Sequence, residues 1–313
     1  MESCPLPVLF ITFARPDYAR RVFDQIKQAK PKKLYFYSNK ARIGELEEIN
    51  NNETIRSFIQ EIDWSCDLRL FFREAHVDVY TSILSALDWV FDNEEEAVIL
   101  EEDCVPSLAF FDFCCQLLPV YKNDIRIWLI SGDNFFPDYN PNGYDYIFSR
   151  YAYQYGWATW RSRWLQVKRD NIPWAAMKRY ELYRYLFPDQ DEADARIEAD
   201  DRAFGYIQKH PCWDYIFGLT VKANGGFGII PKTNLVSNIG VSGFHNKGYV
   251  KRIHNLGIPV TARYLITNPP LFVVPDYKYD RYFFKKFSAQ RSQSLNRKLK
   301  SRLVKILKHI YQR

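Results

Sequence analysis

A chain of 313 residues with 47% hydrophobic and 17% aromatic content carries enough apolar material for a substantial core, which excludes a disordered or low-complexity chain. The net charge of +6 is uneven: residues 285–313 hold ten of the 43 Lys and Arg and no acid, so elsewhere 33 basic residues face 37 acidic ones, and a nucleic-acid-binding body is not expected. No stretch reaches the roughly 18 consecutive apolar residues of a membrane span, and the first apolar run ends at Arg15 with no leader pattern, so a cytosolic protein is expected.

Short apolar runs alternate with helical patterns through the first half. "PVLFITFA" (7–14) predicts a strand, and 17–29 an amphipathic helix closed by Pro31. "KLYFYSN" (33–39) predicts a second strand, 43–62 a helix, and "DLRLFF" (67–72) a third strand. Residues 79–96 predict a helix with Ile83, Leu84, Leu87, Val90 and Phe91 as its apolar positions. "AVIL" (97–100) is a fourth strand, 107–121 a helix, and "RIWLIS" (126–131) a fifth strand. Strands separated by helices of this length form βαβ units, hence an α/β fold with a mostly parallel sheet and right-handed crossovers. The second half departs from that rhythm, with aromatic "RYAYQYGWATWRSRW" (150–164), a charged helical insert at 175–210, a helix in "DYIFGLTVKANG", and short strands and turns in "FGIIPKTNLVSNIG" (227–240). No long linker divides the chain, so one domain over 1–284 with a basic tail at 285–313 is the expected organisation.

The chemistry concentrates in "AVILEEDCVPS" (97–107), where a strand apolar at every position ends in Glu101, Glu102 and Asp103. Adjacent carboxylates repel, and burying them is costly unless they are paired or bound to a cation. In open α/β sheets ligands bind beyond the carboxyl ends of the strands. Clustered oxygens there suit a hard divalent cation, Mg²⁺ or Mn²⁺, shared with a phosphate. An acidic strand-to-helix loop, or a cap for the helix at 107, would read the same way. Arg15 and Asn39 end strands one and two at this same edge. The six cysteines form no CxxC pair and no zinc-like spacing, and adjacent Cys114 and Cys115 suit a helix core.

Four segments together, "PVLFITFARPDYARRVFDQI", "LDWVFDNEEEAVILEEDCVPSLAFFDFC", "YGWATWRSRW" and "CWDYIFGLTVKANGGFGIIPKTNLVSNIG", resemble the bacterial nucleotide-diphospho-sugar transferases of the hemolytic-protein-like family. More distantly they resemble the N-acetylglucosaminyltransferase I family. The resemblance spans roughly residues 6–250 in order and implies a glycosyltransferase-A-like (Rossmann-like) fold, with a nucleotide-sugar half at about 1–132 and an acceptor half at about 133–284. It implies a metal-dependent, inverting glycosyltransferase using a nucleotide sugar, a UDP-sugar first of all. The acceptor would be a glycan or lipid-linked glycan in surface polysaccharide or lipopolysaccharide assembly. By that resemblance Asp103 binds Mn²⁺ or Mg²⁺, while Glu101 and Glu102 face the ribose and sugar. Arg15 contacts the nucleotide and Asn39 lies near the uracil. Asp214 is the catalytic base, and Tyr155, Gly156, Trp157 and Trp160 shape the sugar and acceptor pocket. Two positions depart from the family: Glu102 stands where Asp is usual, and "REAHVDVYTS" lacks the basic residue expected near the diphosphate, leaving that charge to the metal, Arg15 or Arg73.

Plainer readings stand beside these. Asp214 suits a helix N-cap, the aromatics at 150–164 suit a core, and Asp200 with Asp201 suits a charged helix face. His245 in "SGFHNKG" is a further candidate metal ligand or a surface histidine. In the tail, Leu295, Leu299, Leu303, Ile306 or Leu307 and Ile310 recur at helical spacing among Lys and Arg, the pattern of a helix on an anionic membrane surface or of one docked on the domain. Other functions fit part of the pattern. One is a catalytically inactive relative that binds nucleotide sugar or membrane. Another is a nucleotidyltransferase, against which "FARPDYARR" has no glycine-rich loop after strand one.

Overall fold

The computed structural model describes residues 4–136, 139, 143–167, 173–240 and 263–286. Its first half follows the predicted alternation: β1 (Pro7–Thr12), α1 (Pro16–Ala29), β2 (Lys33–Ser38), α2 (Leu46–Arg56), β3 (Asp67–Phe72), α3 (Val79–Asn93), β4 (Glu96–Glu101), β5 (Cys104–Pro106), α4 (Leu108–Tyr121) and β6 (Ile127–Ser131). The second half holds β7 (Tyr146–Ser149), β8 (Trp157–Trp160), α5 (Arg161–Trp164), α6 (Trp174–Arg179), α7 (Leu182–Leu186), α8 (Gln190–Ile207), α9 (Trp213–Ala223), β9 (Phe227–Pro231) and β10 (Val236–Asn238). Residues 277–286 are helical.

Among the described residues eight strands form one sheet in the order β3-β2-β1-β4-β8-β6-β9-β7. Six of them share one direction, and β7 and β8 oppose it, so the fold is α/β with a mostly parallel sheet flanked by helices. Residues of β1 alternate between two cores, as the pleat requires. Val8 and Phe10 pack with α1 and α4 through Val22, Phe23, Phe110 and Cys114. Leu9 and Ile11 pack on the other face with α3 and α9 through Leu87, Val90, Ile216 and Phe217. Each such side chain fully withdrawn from water contributes about 1.5–3 kcal/mol. That is why β1 and β4 read as continuous apolar runs.

The crossovers fix where the strand order reverses. From β1 the chain moves outward through β2 to β3, then returns over the opposite face by α3 and sets β4 beside β1. β1 leads outward to β2 while β4 leads the other way to β6 beyond β8, so the strand order reverses between them and their loops leave the same edge, which is the switch point where α/β sheets bind ligands.

The helix expected at 43–62 is shorter. Gly44 at φ +85 interrupts it before α2, and 57–61 tighten into a 3₁₀ turn. The "CVP" turn is a short strand, β5, antiparallel to β10. β7, just before the aromatic stretch, and β8, inside it, are strands beyond those predicted.

Candidate functional site

Local folding brings the triplet and Arg15 together. β4 ends at Glu101, and β1 ends three residues before Arg15. Glu102 turns back toward β1, 4% exposed, and its carboxylate accepts from Phe13 N–H at 2.8 Å and Arg15 Nε at 2.6 Å. The second arm of Arg15 reaches Asp103 Oδ2 at 3.0 Å. Burial pulls the Arg15 guanidinium down, but Glu102 and Asp103 outweigh it and leave it raised. Burial pushes the Glu102 carboxyl up while Arg15 and the Phe13 N–H pull against it, and two charge-assisted hydrogen bonds are the geometry of a carboxylate.

Glu101 differs. Its carboxyl accepts no hydrogen bond and forms no ion pair among the described residues. Burial first, then Asp103 and Asp214, push it up to about 8 against the pull of Arg15. It is a half-buried carboxyl at a strand end, sharing a field with three more carboxylates, Asp103, Asp214 and Glu102.

Backbone packing holds the triplet rigid. β5 follows it at once and pairs with β10 through Asn238↔Cys104, and Ile239 N–H donates to Asp103 O at 2.8 Å. Gly240 then passes so close that a Cβ there would stand 2.2 Å from Asp103 Oδ2. Gly156, at φ +63, lies where a Cβ would strike Val236 of β10 at 2.7 Å, and its carbonyl accepts from Gly132 N–H at 2.8 Å. Glycine is thus required where the motif "YGW" meets the β5–β10 pair.

Across the crevice, α9 starts with Cys212 at its N-cap, and Asp214 lies in the first turn rather than at the cap. Asp214 is exposed, and its Oδ1 accepts from Tyr215 N–H at 2.9 Å and Cys212 Sγ–H at 2.7 Å. Register pairs Trp157 with Ile99, two residues before Glu101. The Trp157 ring stacks on Trp213 at 5.9 Å and so anchors the turn that carries Asp214. Tyr155 is raised by burial, then by Asp133, Tyr153 and Asp214.

The structure thus gathers Arg15, Glu101, Glu102, Asp103, Tyr155, Gly156, Trp157 and Asp214. Trp160 pairs with Glu96 at the far end of β4 and packs toward α4, where its Nε1 donates to Leu118 O at 3.2 Å. Asn39 is 5% exposed and its amide is taken up by backbone: Nδ2 donates to Val77 O at 2.8 Å, and Oδ1 accepts from Lys40 N at 3.0 Å. It clasps the 73–78 segment to the end of β2. His245 and tail residues 287–313 lie outside the described residues. Two further residues went unread. Asn52 of α2 ties the ends of β1 and β2 by donating to Phe13 O and Asn39 O. Asp133 follows β6 in "SGDN", a strand-end acid like the triplet and the signal that could have found it.

No protein-family profile matches the chain, and no curated protein matches it. Solved structures match parts of it. The mannosyltransferase PcManGT from Pyrobaculum calidifontis in complex with GDP-Man and Mn²⁺ is 13% identical with a TM-score of 0.36, over 50% of this chain and 45% of that one. A UDP-glucose pyrophosphorylase complexed with UDP-glucose is 8% identical with a TM-score of 0.24, over 41% and 63%. The apo form of mouse xyloside xylosyltransferase 1 is 12% identical with a TM-score of 0.33, over 70% and 82%. The chain spans less than half of the mannosyltransferase and under two thirds of the pyrophosphorylase. Likeness of this degree fixes neither donor nor reaction.

Among the described residues no cluster of three or more His, Cys, Asp or Glu is arranged to hold a metal ion. Asp103 offers one carboxylate, already paired with Arg15. This donor set does not fit an all-protein cage. It fits a hydrated cation held by one carboxylate and shared with phosphate oxygens, the usual manner of Mg²⁺.

Proposed function

We propose that the crevice is the donor site of an inverting glycosyltransferase that uses a nucleotide diphosphate sugar, a UDP-sugar first of all. The observation that supports this most is Glu101, a half-buried carboxyl with no partner among the described residues, set at the switch point between Asp103 and Asp214. An exposed carboxylate facing a crowded anionic edge suits a reaction in which one side holds a charged leaving group and the other takes a proton.

In this reading Glu101 and Glu102 meet the hydroxyls of the ribose and sugar, and Arg15 meets the nucleotide. A divalent cation held by Asp103 would neutralise the diphosphate as it departs. Asp214 takes the proton of the acceptor hydroxyl while the new C–O bond forms at the anomeric carbon. The bond to the diphosphate breaks with its electron pair leaving on the nucleoside diphosphate. One base and one displacement give inversion. Tyr155, Gly156 and Trp157 form the wall between donor and acceptor, with Asn39 at the nucleobase end. The test is cation-dependent release of nucleoside diphosphate from a panel of nucleotide sugars by the full chain. Release from none of them favours the second reading, a relative that binds nucleotide sugar without transfer. That reading has its own support in the Arg15–Asp103 ion pair, which competes with a cation.

The proposal extends to organisation: one catalytic domain over 1–284, and a tail at 285–313 that meets an anionic membrane bearing the lipid-linked acceptor. Among the described residues no helix is long and apolar enough to cross a membrane. Removing residues 288–313 should abolish sedimentation with anionic vesicles. Undiminished sedimentation would reject the tail as the contact.

A further inference from the structure

Ser131 ends β6 with its hydroxyl 2.5 Å from Asp133 Oδ1 and 2.7 Å from the carbonyl oxygen of Tyr153. A serine hydroxyl carries one proton, and a backbone carbonyl can only accept. The contact to Tyr153 therefore uses the serine proton, and the contact to Asp133 is at the short end of O–H···O bonds and needs a second one. We infer that Asp133 is carried as a neutral carboxylic acid, donating to Ser131 Oγ, which donates on to the Tyr153 carbonyl, and that losing this proton unfastens the crevice wall at Tyr153–Tyr155.

The surroundings agree. Asp133 is 5% exposed and has no ion-pair partner among the described residues. The groups that share its field are Tyr153 and Tyr155 from the segment before β8 and Tyr279 from the helix at 277–286. Beyond them lie Arg196 and Asp200 near Tyr153, Asp214 and Cys104 near Tyr155, and Asp280 near Tyr279. Burial places the Asp133 carboxyl at about 7, although the Ser131 hydroxyl and the residue's own backbone N–H are both within reach to favour the charged form. Tyr153 and Tyr155 stack at 6.2 Å, so they move together. Gly156 stays tied to Gly132, which confines the change to the tyrosine pair. When the acid ionises, Ser131 turns its only proton to the carboxylate and the Tyr153 carbonyl is left without it.

The sign follows from linkage: a carboxyl raised in the folded state stabilises below its unfolded value near 4, and that stability is lost as pH rises through about 7. Asp133→Asn keeps an N–H donor to Ser131 at every pH. Across about pH 5.5 to 8.5 the full-length wild type should lose roughly 5 °C of melting temperature relative to Asp133→Asn. The infrared difference between the two at the low end should show a protonated-carboxyl C=O band that fades through neutrality. A constant offset between them, or no such band, overturns the inference. Should Asp133→Asn fail to fold, Ser131→Ala, which removes only a hydroxyl, must shift the midpoint of that band, and an unmoved midpoint overturns it equally. The chain of protons does not depend on what the crevice binds, so failure of the transferase reading leaves it intact.

Discussion

Arg15→Ala should lower the unfolding free energy of the ligand-free protein by about 3 kcal/mol, read from urea denaturation at neutral pH. Glu102 is the reason: its side chain is 6% exposed, and Arg15 supplies the shorter of its two hydrogen bonds. Removing one partner of a buried pair costs about 3–5 kcal/mol because the other charge stays behind. The Arg15 side chain is 35% exposed, and solvent screening puts the loss at the lower end. The deficit should narrow as pH falls. Burial already holds the Glu102 carboxyl above its ordinary value beside Arg15, and losing Arg15 removes the main pull against that, so the folded variant takes up the proton earlier than the wild type and gains more stability on the way down. A pH-independent deficit below about 1 kcal/mol would mean that Glu102 is solvated rather than paired.

Asp214→Asn should reduce transfer by about 10²- to 10⁴-fold, the range that a positioned general base contributes. Donor binding should survive, because the proposed nucleotide contacts lie at the ends of β1 and β4 while Asp214 belongs to α9. Asparagine keeps the size and the Tyr215 N–H bond but has no lone pair basic enough to take the proton. Undiminished release of nucleoside diphosphate to acceptor would sink Asp214 as the base. Loss of donor binding with loss of turnover would give it a binding role instead.

The first half was legible because β1, β2 and β4 are covered on both faces, and continuous apolar runs between helical periods leave few alternatives. The edge shared by Arg15 and the triplet followed from strand ends alone. Asp214 facing that edge did not, since α9 is brought there by long-range packing, with Trp157 against both Trp213 and Phe217. β7 and β8 are not predicted because each is only four residues long, and around β8 the run "YAYQYGWATW" has no alternation to separate strand from loop. Trp157 and Trp160 look equivalent in "GWATW". Only the register of β8 on β4 sends one to the crevice and the other to the opposite end. Asn39 shows the converse: a polar strand-end residue whose amide is engaged by backbone. A sequence shows donors and acceptors, but not which of them the backbone claims first.

The central claim is that this edge of the sheet holds a nucleotide sugar together with a divalent cation. Melting curves of the full chain with Mn²⁺ and each of several nucleotide sugars address it directly. Stabilisation by one UDP-sugar should appear only when both are present, vanish with chelator, and be absent in Asp103→Ala. No stabilisation by any nucleotide sugar, or stabilisation that survives both chelator and Asp103→Ala, would contradict it.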